Sequence, residues 1–78
     1  MDTKKTGAYL AALRKARGMT QQEAADQLGV SNKTVSKWEN GAGLPDITVL
    51  PALAELYGVT ADDILAGETL RGRPAESG

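Results

Sequence analysis

A short polar strip in the middle of the chain has the residue types and the spacing to bind hydrogen-bond acceptors. Its members stand at positions i, i+1, i+4 and i+5, namely Asn32, Lys33, Ser36 and Lys37. On a helix this spacing places all four on one face, where their amide, ammonium and hydroxyl groups donate hydrogen bonds. Val35 and Trp38 lie on the opposite face and are expected to pack inward. A donor-rich face of this kind suits the acceptor atoms of base edges and phosphates.

Two short helices joined by a tight turn are needed to position this polar strip. Thr20 and Glu23 have the spacing of a capping box, which predicts a helix start. Gly29 can take the left-handed conformation that ends this helix. Val30 can then pack inward, and Ser31 is a good N-cap for the second helix. Two helices held at a steep angle by a glycine turn form the arrangement that places side chains in the DNA major groove.

The composition excludes several classes of function. The chain has 78 residues, enough for one small domain, and contains neither histidine nor cysteine. This excludes imidazole catalysis, disulfides and the usual zinc ligands. We therefore expect a protein that is not an enzyme, with no catalytic residues, no cofactor and no metal. The adjacent carboxylates of Asp62 and Asp63 are better explained as favourable charges at a helix N-terminus than as metal ligands.

Charge is divided unevenly along the chain. The net charge is −1, but residues 1–45 carry +3 and residues 46–78 carry −4. The basic half contains the polar strip, as expected for a domain with one side that faces phosphates, although +3 over this length is also ordinary surface chemistry. No apolar run approaches the roughly 20 residues that span a bilayer, and the N-terminus does not resemble a signal peptide. We expect a cytoplasmic, nucleoid-associated protein without a membrane segment.

Three further helices are predicted around the central pair. The first covers residues 4–17 and can be capped by Thr3 or Thr6. The last begins with a second capping box, formed by Thr60 and Asp63. Each of the five helices is followed within two residues by a glycine. The inward-facing residues of the first and last helices are expected to be Tyr9, Leu10, Leu13, Ile64 and Leu65.

Pro51 decides where the fourth helix begins, because proline is tolerated only in the first turn of a helix. This favours Thr48 as the N-cap, with Val49, Leu50 and Pro51 as the first helical residues. The loop before it is expected to place Leu44 in the core. The inward-facing residues of the helix follow i, i+3, i+4, i+7 spacing: Leu50, Leu53, Ala54 and Tyr57. The polar residues 68–78 are predicted to form a flexible tail after a domain of residues 1–67.

The stretch TQQEAADQLGVSNKTVSKWENG, followed by LPD and LPALAELYGVTADDIL, closely resembles the Cro/phage-repressor-like helix-turn-helix domain, also called the XRE-type domain. The resemblance covers roughly residues 6–67. It implies an all-α, compact five-helix bundle of the lambda-repressor-like type, with the helix-turn-helix at helices 2 and 3. The recognition helix would cover about residues 32–39. One departure is Ala24, where the family usually has leucine, so a thinner contact between the motif helices is expected.

The resemblance also implies roles for individual residues. The polar strip matches the exposed positions of the recognition helix, and lysine suits guanine while asparagine suits adenine. The positions that contact DNA phosphates in the family are occupied here by Gln21, Thr34 and Asn40. Arg14 and Glu39 match an internal ion pair, to which we assign a structural role.

These features predict sequence-specific binding of double-stranded DNA by a transcriptional regulator, with a repressor as the favoured form. A single domain makes few phosphate contacts, so a homodimer on a palindromic operator is expected. Two alternatives stay open. The same fold can serve as an antitoxin-like or anti-regulator module that binds a protein partner. The chain can also be a piece of a longer regulator, because its end, RGRPAESG, has the composition of a linker.

Overall fold

Five α-helices follow one another along residues 2–70, the part of the chain that the computed structural model describes. The helices are α1 (Thr3–Ala16), α2 (Gln21–Leu28), α3 (Asn32–Glu39), α4 (Leu50–Tyr57) and α5 (Ala61–Ala66). No strand occurs within these described residues. The predicted all-α class is therefore confirmed.

The two predicted capping boxes are present at the starts of α2 and α5. Thr20 Oγ1 accepts a hydrogen bond from the Glu23 backbone N–H at 3.0 Å, and the Glu23 carboxylate accepts one from the Thr20 backbone N–H at 2.8 Å. Thr60 and Asp63 repeat the pattern at 3.0 and 3.1 Å. Ser31 caps α3 as predicted. The starts of these three helices therefore follow from the local sequence.

The cap of α1 differs from the prediction. Asp2 is the N-cap, in place of Thr3 or Thr6, and its carboxylate accepts hydrogen bonds from two backbone N–H groups of the first turn. A carboxylate at this position also interacts favourably with the helix dipole. Thr6 is buried, and its hydroxyl donates to the Ile64 carbonyl oxygen at 3.0 Å. Thr6 thus joins α1 to α5.

The predicted start of α4 is wrong. Val49 is the N-cap, in place of Thr48, and no side chain caps this helix. The Val49 backbone N–H donates to the Asp46 carbonyl oxygen at 2.9 Å, so a tight backbone turn leads into the helix without a hydroxyl cap. Pro51 occupies the second helical position, which is still in the first turn, where its missing N–H breaks no helical bond.

The core lies where the apolar faces of all five helices meet. Its buried members are Leu10, Ala25, Val35, Trp38, Leu50, Leu53, Tyr57 and Ile64, and the half-buried Tyr9, Leu13, Val30 and Ala54 pack against them. Two residues predicted to face inward do not belong to it, because Leu44 is 41% exposed and Leu65 is 38% exposed. Leu65 directly follows Ile64, and successive helical residues point about 100° apart, so Ile64 faces the core and Leu65 turns toward the surface.

Glycines end the helices and allow one close approach between them. The five glycines predicted to follow the helices all have a left-handed backbone conformation: Gly18, Gly29, Gly41, Gly58 and Gly67. Gly7 instead lies inside α1, where it touches the end of α3. A β-carbon at Gly7 would lie 2.3 Å from the Trp38 carbonyl oxygen and 2.9 Å from the Glu39 carbonyl oxygen. The missing side chain therefore lets the backbone of α3 pack directly on α1.

The chain leaves α5 along the bundle surface. Tyr9 Oη lies 2.9 Å from Thr69 Oγ1, and the Leu70 backbone N–H donates to the Asp63 carboxylate at 2.9 Å. The Glu68 carboxylate lies 3.5 Å from Lys5 Nζ, so the first three residues of the predicted tail contact the bundle, beyond the boundary expected at residue 67. The rest of the predicted tail, residues 71–78, lies outside the described residues.

Candidate nucleic-acid interface

The turn between α2 and α3 sets the geometry of the motif. Gly29 closes α2 with a φ of +72°, a left-handed conformation that a β-carbon disfavours. The Val30 backbone N–H donates to the Ala25 carbonyl oxygen at 3.1 Å, and Val30 packs against the core. Ser31 then caps α3, so the change of direction is completed between Gly29 and Ser31.

Two buried residues determine which face of α3 points outward. Val35 is 2% exposed and Trp38 is 7% exposed, and both belong to the core as predicted. The members of the polar strip remain accessible: both lysines are exposed, while Asn32 and Ser36 are half-buried. The structure therefore brings the four predicted base-reading residues together on the accessible side of α3.

The three residues matched to phosphate contacts are all at least partly exposed. Gln21 is the first residue of α2, Thr34 lies in α3, and Asn40 is its C-cap. Asn40 Nδ2 donates to Ser36 Oγ at 3.3 Å. Thr34 Oγ1 lies 2.9 Å from the hydroxyl of Ser31. Each hydrogen bond restrains a side chain that the resemblance assigns to a phosphate contact.

An ion pair connects α1 to the end of α3. Arg14 Nε lies 2.7 Å from Glu39 Oε2, and Arg14 Nη2 lies 3.1 Å from Glu39 Oε1. The structure thus contains the pair that the resemblance implied, in a two-pronged geometry, with 11% and 5% of the two side chains exposed. The hydrogen bond to Glu39 raises the pKa of Arg14, although desolvation by burial acts in the opposite direction.

Two further contacts of this pair reach α2 and were not foreseen from the sequence. Arg14 Nη1 donates to the Met19 carbonyl oxygen at 2.7 Å, just before α2 begins. Gln21 Nε2 donates to Glu39 Oε1 at 3.0 Å. Gln21 is therefore both a residue matched to a phosphate contact and a partner of the buried carboxylate. Gln21 and Glu39 stand 18 positions apart in the sequence, so no local spacing pattern indicates their hydrogen bond.

A surface cleft of about 140 Å³ opens beside α3. Its lining residues are Thr34, Lys37, Trp38, Ala42, Gly43 and Leu44. Leu44, which was predicted to anchor the loop in the core, instead forms part of this cleft. The cleft is smaller than the roughly 300–1,000 Å³ of small-molecule pockets, so it does not indicate a cofactor site.

Within residues 2–70 no group of three or more His, Cys, Asp or Glu residues is placed to hold a metal ion. Asp63, the neighbour of Asp62, serves the capping box of α5 and accepts the hydrogen bond from Leu70. Over the same residues, none of the helices has the length and apolarity needed to cross a membrane.

Comparison with known proteins finds relatives over most of the chain. The model of the helix-turn-helix family matches residues 10–64. The chain is 41% identical over 61 residues to the HTH-type transcriptional activator BcrR of Enterococcus faecalis, a match that covers 78% of this chain and 30% of that protein. It is 36% identical over 55 residues to the cryptic phage CTXphi transcriptional repressor RstR of Vibrio cholerae, covering 70% of this chain and 49% of that protein.

Solved structures share the fold. The restriction-modification controller protein C.AhdI from Aeromonas hydrophila has a TM-score of 0.74 at 25% identity, over 81% of this chain and 96% of that chain. The clp gene regulator ClgR from Corynebacterium glutamicum has a TM-score of 0.75 at 25% identity, over 86% of this chain and 71% of that chain. The described helices thus form a five-helix bundle of the lambda-repressor-like type.

The family is established by the extent of the matched segment. The chain spans 30% of the length of BcrR and 49% of the length of RstR, so these relatives have further segments. The family model nevertheless covers more than half of this chain and includes all of α2 and α3. This chain belongs to the XRE-type helix-turn-helix family.

Proposed function

We propose that this chain binds double-stranded DNA sequence-specifically, as the DNA-binding domain of a transcriptional regulator, with α3 in the major groove. The observation that carries the proposal is the division of α3 into two faces. Val35 and Trp38 are buried in the core, while Lys33 and Lys37 are exposed on the accessible side. Such a helix can enter the groove without losing its packing against the rest of the domain.

Different residues have different tasks in this proposal. Lys33 and Lys37 can donate to guanine O6 and N7, and Asn32 has the paired donor and acceptor that adenine needs. Ser36 is the fourth base-reading residue and can contact either kind of base. The side chains matched to phosphate contacts, those of Gln21, Thr34 and Asn40, would set the register of α3 without reading sequence. The N-terminus of α2 adds backbone N–H groups that favour an anion.

The regulatory context is also part of the proposal. The relatives include one protein named as an activator and one named as a repressor, so similarity supports regulation without giving its sign. We propose a homodimer on a palindromic operator, because one domain offers few phosphate contacts and two domains double them. The half-sites would then lie about 34 Å apart, one turn of DNA. We also propose that the protein acts on DNA in the cytoplasm and catalyses no reaction.

Selection of bound sequences from a random pool of double-stranded DNA tests sequence-specific binding directly. We expect the enriched sequences to contain an inverted repeat with half-sites about one helical turn apart. Enrichment of a single, non-repeated site would support DNA reading and contradict the dimer. Recovery of no preferred sequence would overturn the proposed function.

Lysine substitutions then test the assignment of the groove. Lys37→Ala and Lys33→Ala should each weaken binding of the selected sequence by about fivefold to 150-fold, because a lost base contact is worth about 1–3 kcal/mol. Lys5→Ala is the matched control: Lys5 lies on α1, and its ammonium is 3.5 Å from the Glu68 carboxylate in an exposed pair. Affinity is measured by fluorescence anisotropy at two salt concentrations. If both strip variants bind as well as Lys5→Ala, the groove assignment is wrong.

A further inference from the structure

We propose that Glu39 is a positioning residue for DNA binding, which orients the side-chain amide of Gln21 toward a phosphate. This inference rests on the proposed function and assigns Glu39 a task beyond the ion pair with Arg14. The Glu39 carboxylate would not touch DNA. It would act through the one hydrogen bond that it accepts from Gln21 Nε2 at 3.0 Å.

The carboxylate of Glu39 is itself held in place by three donors. Its Oε2 accepts from Arg14 Nε at 2.7 Å, and its Oε1 accepts from both Arg14 Nη2 and Gln21 Nε2, at 3.1 and 3.0 Å. The third arm of the guanidinium donates to the Met19 carbonyl oxygen at 2.7 Å. Arg14 therefore fixes the carboxylate relative to the segment that leads into α2, and Gln21 begins that helix.

The chemistry of the two groups decides which way the amide points. An ionised carboxylate only accepts hydrogen bonds, whereas an amide group has two N–H donors and one carbonyl acceptor. The Gln21 nitrogen must therefore face Glu39, because the reversed amide would set its carbonyl oxygen against the carboxylate. One hydrogen of Nε2 is used in this bond. The second hydrogen is the donor left for a phosphate oxygen, and its direction is set before DNA arrives.

Gln21 is half-buried, so the surrounding protein limits the positions that its side-chain amide can take. A glutamine on a free surface samples many rotamers and loses that freedom on binding, which weakens the binding. In this protein the hydrogen bond to Glu39 already restricts the Gln21 side chain before DNA binds. Loss of Glu39 should consequently weaken DNA binding only as long as Gln21 is present to be oriented.

A double-mutant cycle separates positioning from a merely structural role. The variants are Gln21→Met, Glu39→Gln and the double variant, each titrated with an operator obtained by selection, at a temperature where circular dichroism shows all of them folded. Gln21→Met removes the amide and leaves the ion pair in place. Gln27→Met is the matched control, because Gln27 is an exposed residue near the end of the same helix.

We expect Gln21→Met to weaken binding about tenfold, the value of one hydrogen bond to a charged group, and Gln27→Met to leave it unchanged. Glu39→Gln should weaken binding to a similar extent in the wild-type chain but by less than about twofold when Gln21 is already methionine. Equal losses in both backgrounds would mean that Glu39 supports only the fold and would overturn the proposal.

A second measurement needs neither DNA nor a Glu39 variant. In the wild-type protein, the hydrogen bond to a carboxylate should move one Nε2 hydrogen of Gln21 downfield, so that the two Nε2 hydrogens of Gln21 are further apart in the NMR spectrum than those of the exposed Gln27. Coincident positions for the two glutamines would contradict the proposal even if Glu39→Gln fails to fold. If the wild-type chain binds no DNA, the proposed function fails, while this spectrum still reports separately whether Glu39 holds the amide.

Discussion

Replacement of Gly7 by alanine has two opposing effects on the stability of the protein. The distances around Gly7 indicate which effect is larger. In a helix interior, alanine is more stable than glycine by about 1 kcal/mol, because glycine loses more conformational freedom on folding. Gly7 lies in the second turn of α1, so propensity alone predicts a stabilised protein. The tertiary structure predicts the reverse.

The new β-carbon would overlap two backbone oxygens. It would lie 2.3 Å from the Trp38 carbonyl oxygen and 2.9 Å from the Glu39 carbonyl oxygen. Neither atom can rotate away, so α1 and α3 must separate by about 1 Å to restore ordinary van der Waals contact. Overpacking of this kind costs about 1–3 kcal/mol. Because the overlap is with backbone, we take the upper end, which leaves a net destabilisation of about 2 kcal/mol after the gain in propensity.

The assay is thermal and urea unfolding followed by circular dichroism. For a domain of this size, about 2 kcal/mol lowers Tm by about 8–16 °C. Gly43→Ala is the matched control, because a β-carbon at Gly43 meets no atom within 4 Å. This control should stay within about 0.5 kcal/mol of the wild type. A Gly7→Ala variant as stable as the wild type, or more stable, would refute the close approach of α1 and α3.

Two further predictions concern a cap and a buried phenol. Thr20→Ala should lower the free energy of unfolding by about 1 kcal/mol, because it removes the hydroxyl that caps α2. The control Thr48→Ala should change the free energy of unfolding by less than about 0.5 kcal/mol, since Thr48 caps no helix. Equal losses for the two variants in urea titrations would contradict this prediction. Burial raises the pKa of Tyr57 above its usual value of about 10, with a further contribution from Glu39. The unfolded chain therefore ionises first, so Tyr57 contributes a stabilisation that is present below pH 10 and is lost as the pH rises above it. Tyr57→Phe should remove this part of the alkaline decline in stability, and an unchanged pH profile would argue against the effect of burial.

Much of the helical framework could be predicted from residues that are close in sequence. The capping boxes at Thr20 and Thr60 and the N-cap at Ser31 each involve groups within one helical turn, so their spacing was a sufficient signal. The placement of Val35 and Trp38 in the core followed from helical periodicity in the same way. Prediction was weaker where two answers satisfied the same local rule: Thr48 and Val49 both keep Pro51 in the first turn, and only the backbone turn at residues 47–49 distinguishes them.

The contacts that join helices were decided by the tertiary structure. Gly7 is an unfavourable helix residue by local rules, and its role is visible only when the carbonyl oxygens of α3 lie against it. The hydrogen bond from Gln21 to Glu39 likewise depends on the angle between α2 and α3 and on the guanidinium that holds the carboxylate. Sequence by itself thus determined the five helices, the starts of α2, α3 and α5, the glycines that follow the helices, and the polar face of α3, because those depend on neighbours within a turn. The tertiary structure determined how closely α1 and α3 approach each other and that the Gln21 amide is held by Glu39 at the end of α3. Both depend on the relative positions of backbone segments that are far apart in the chain.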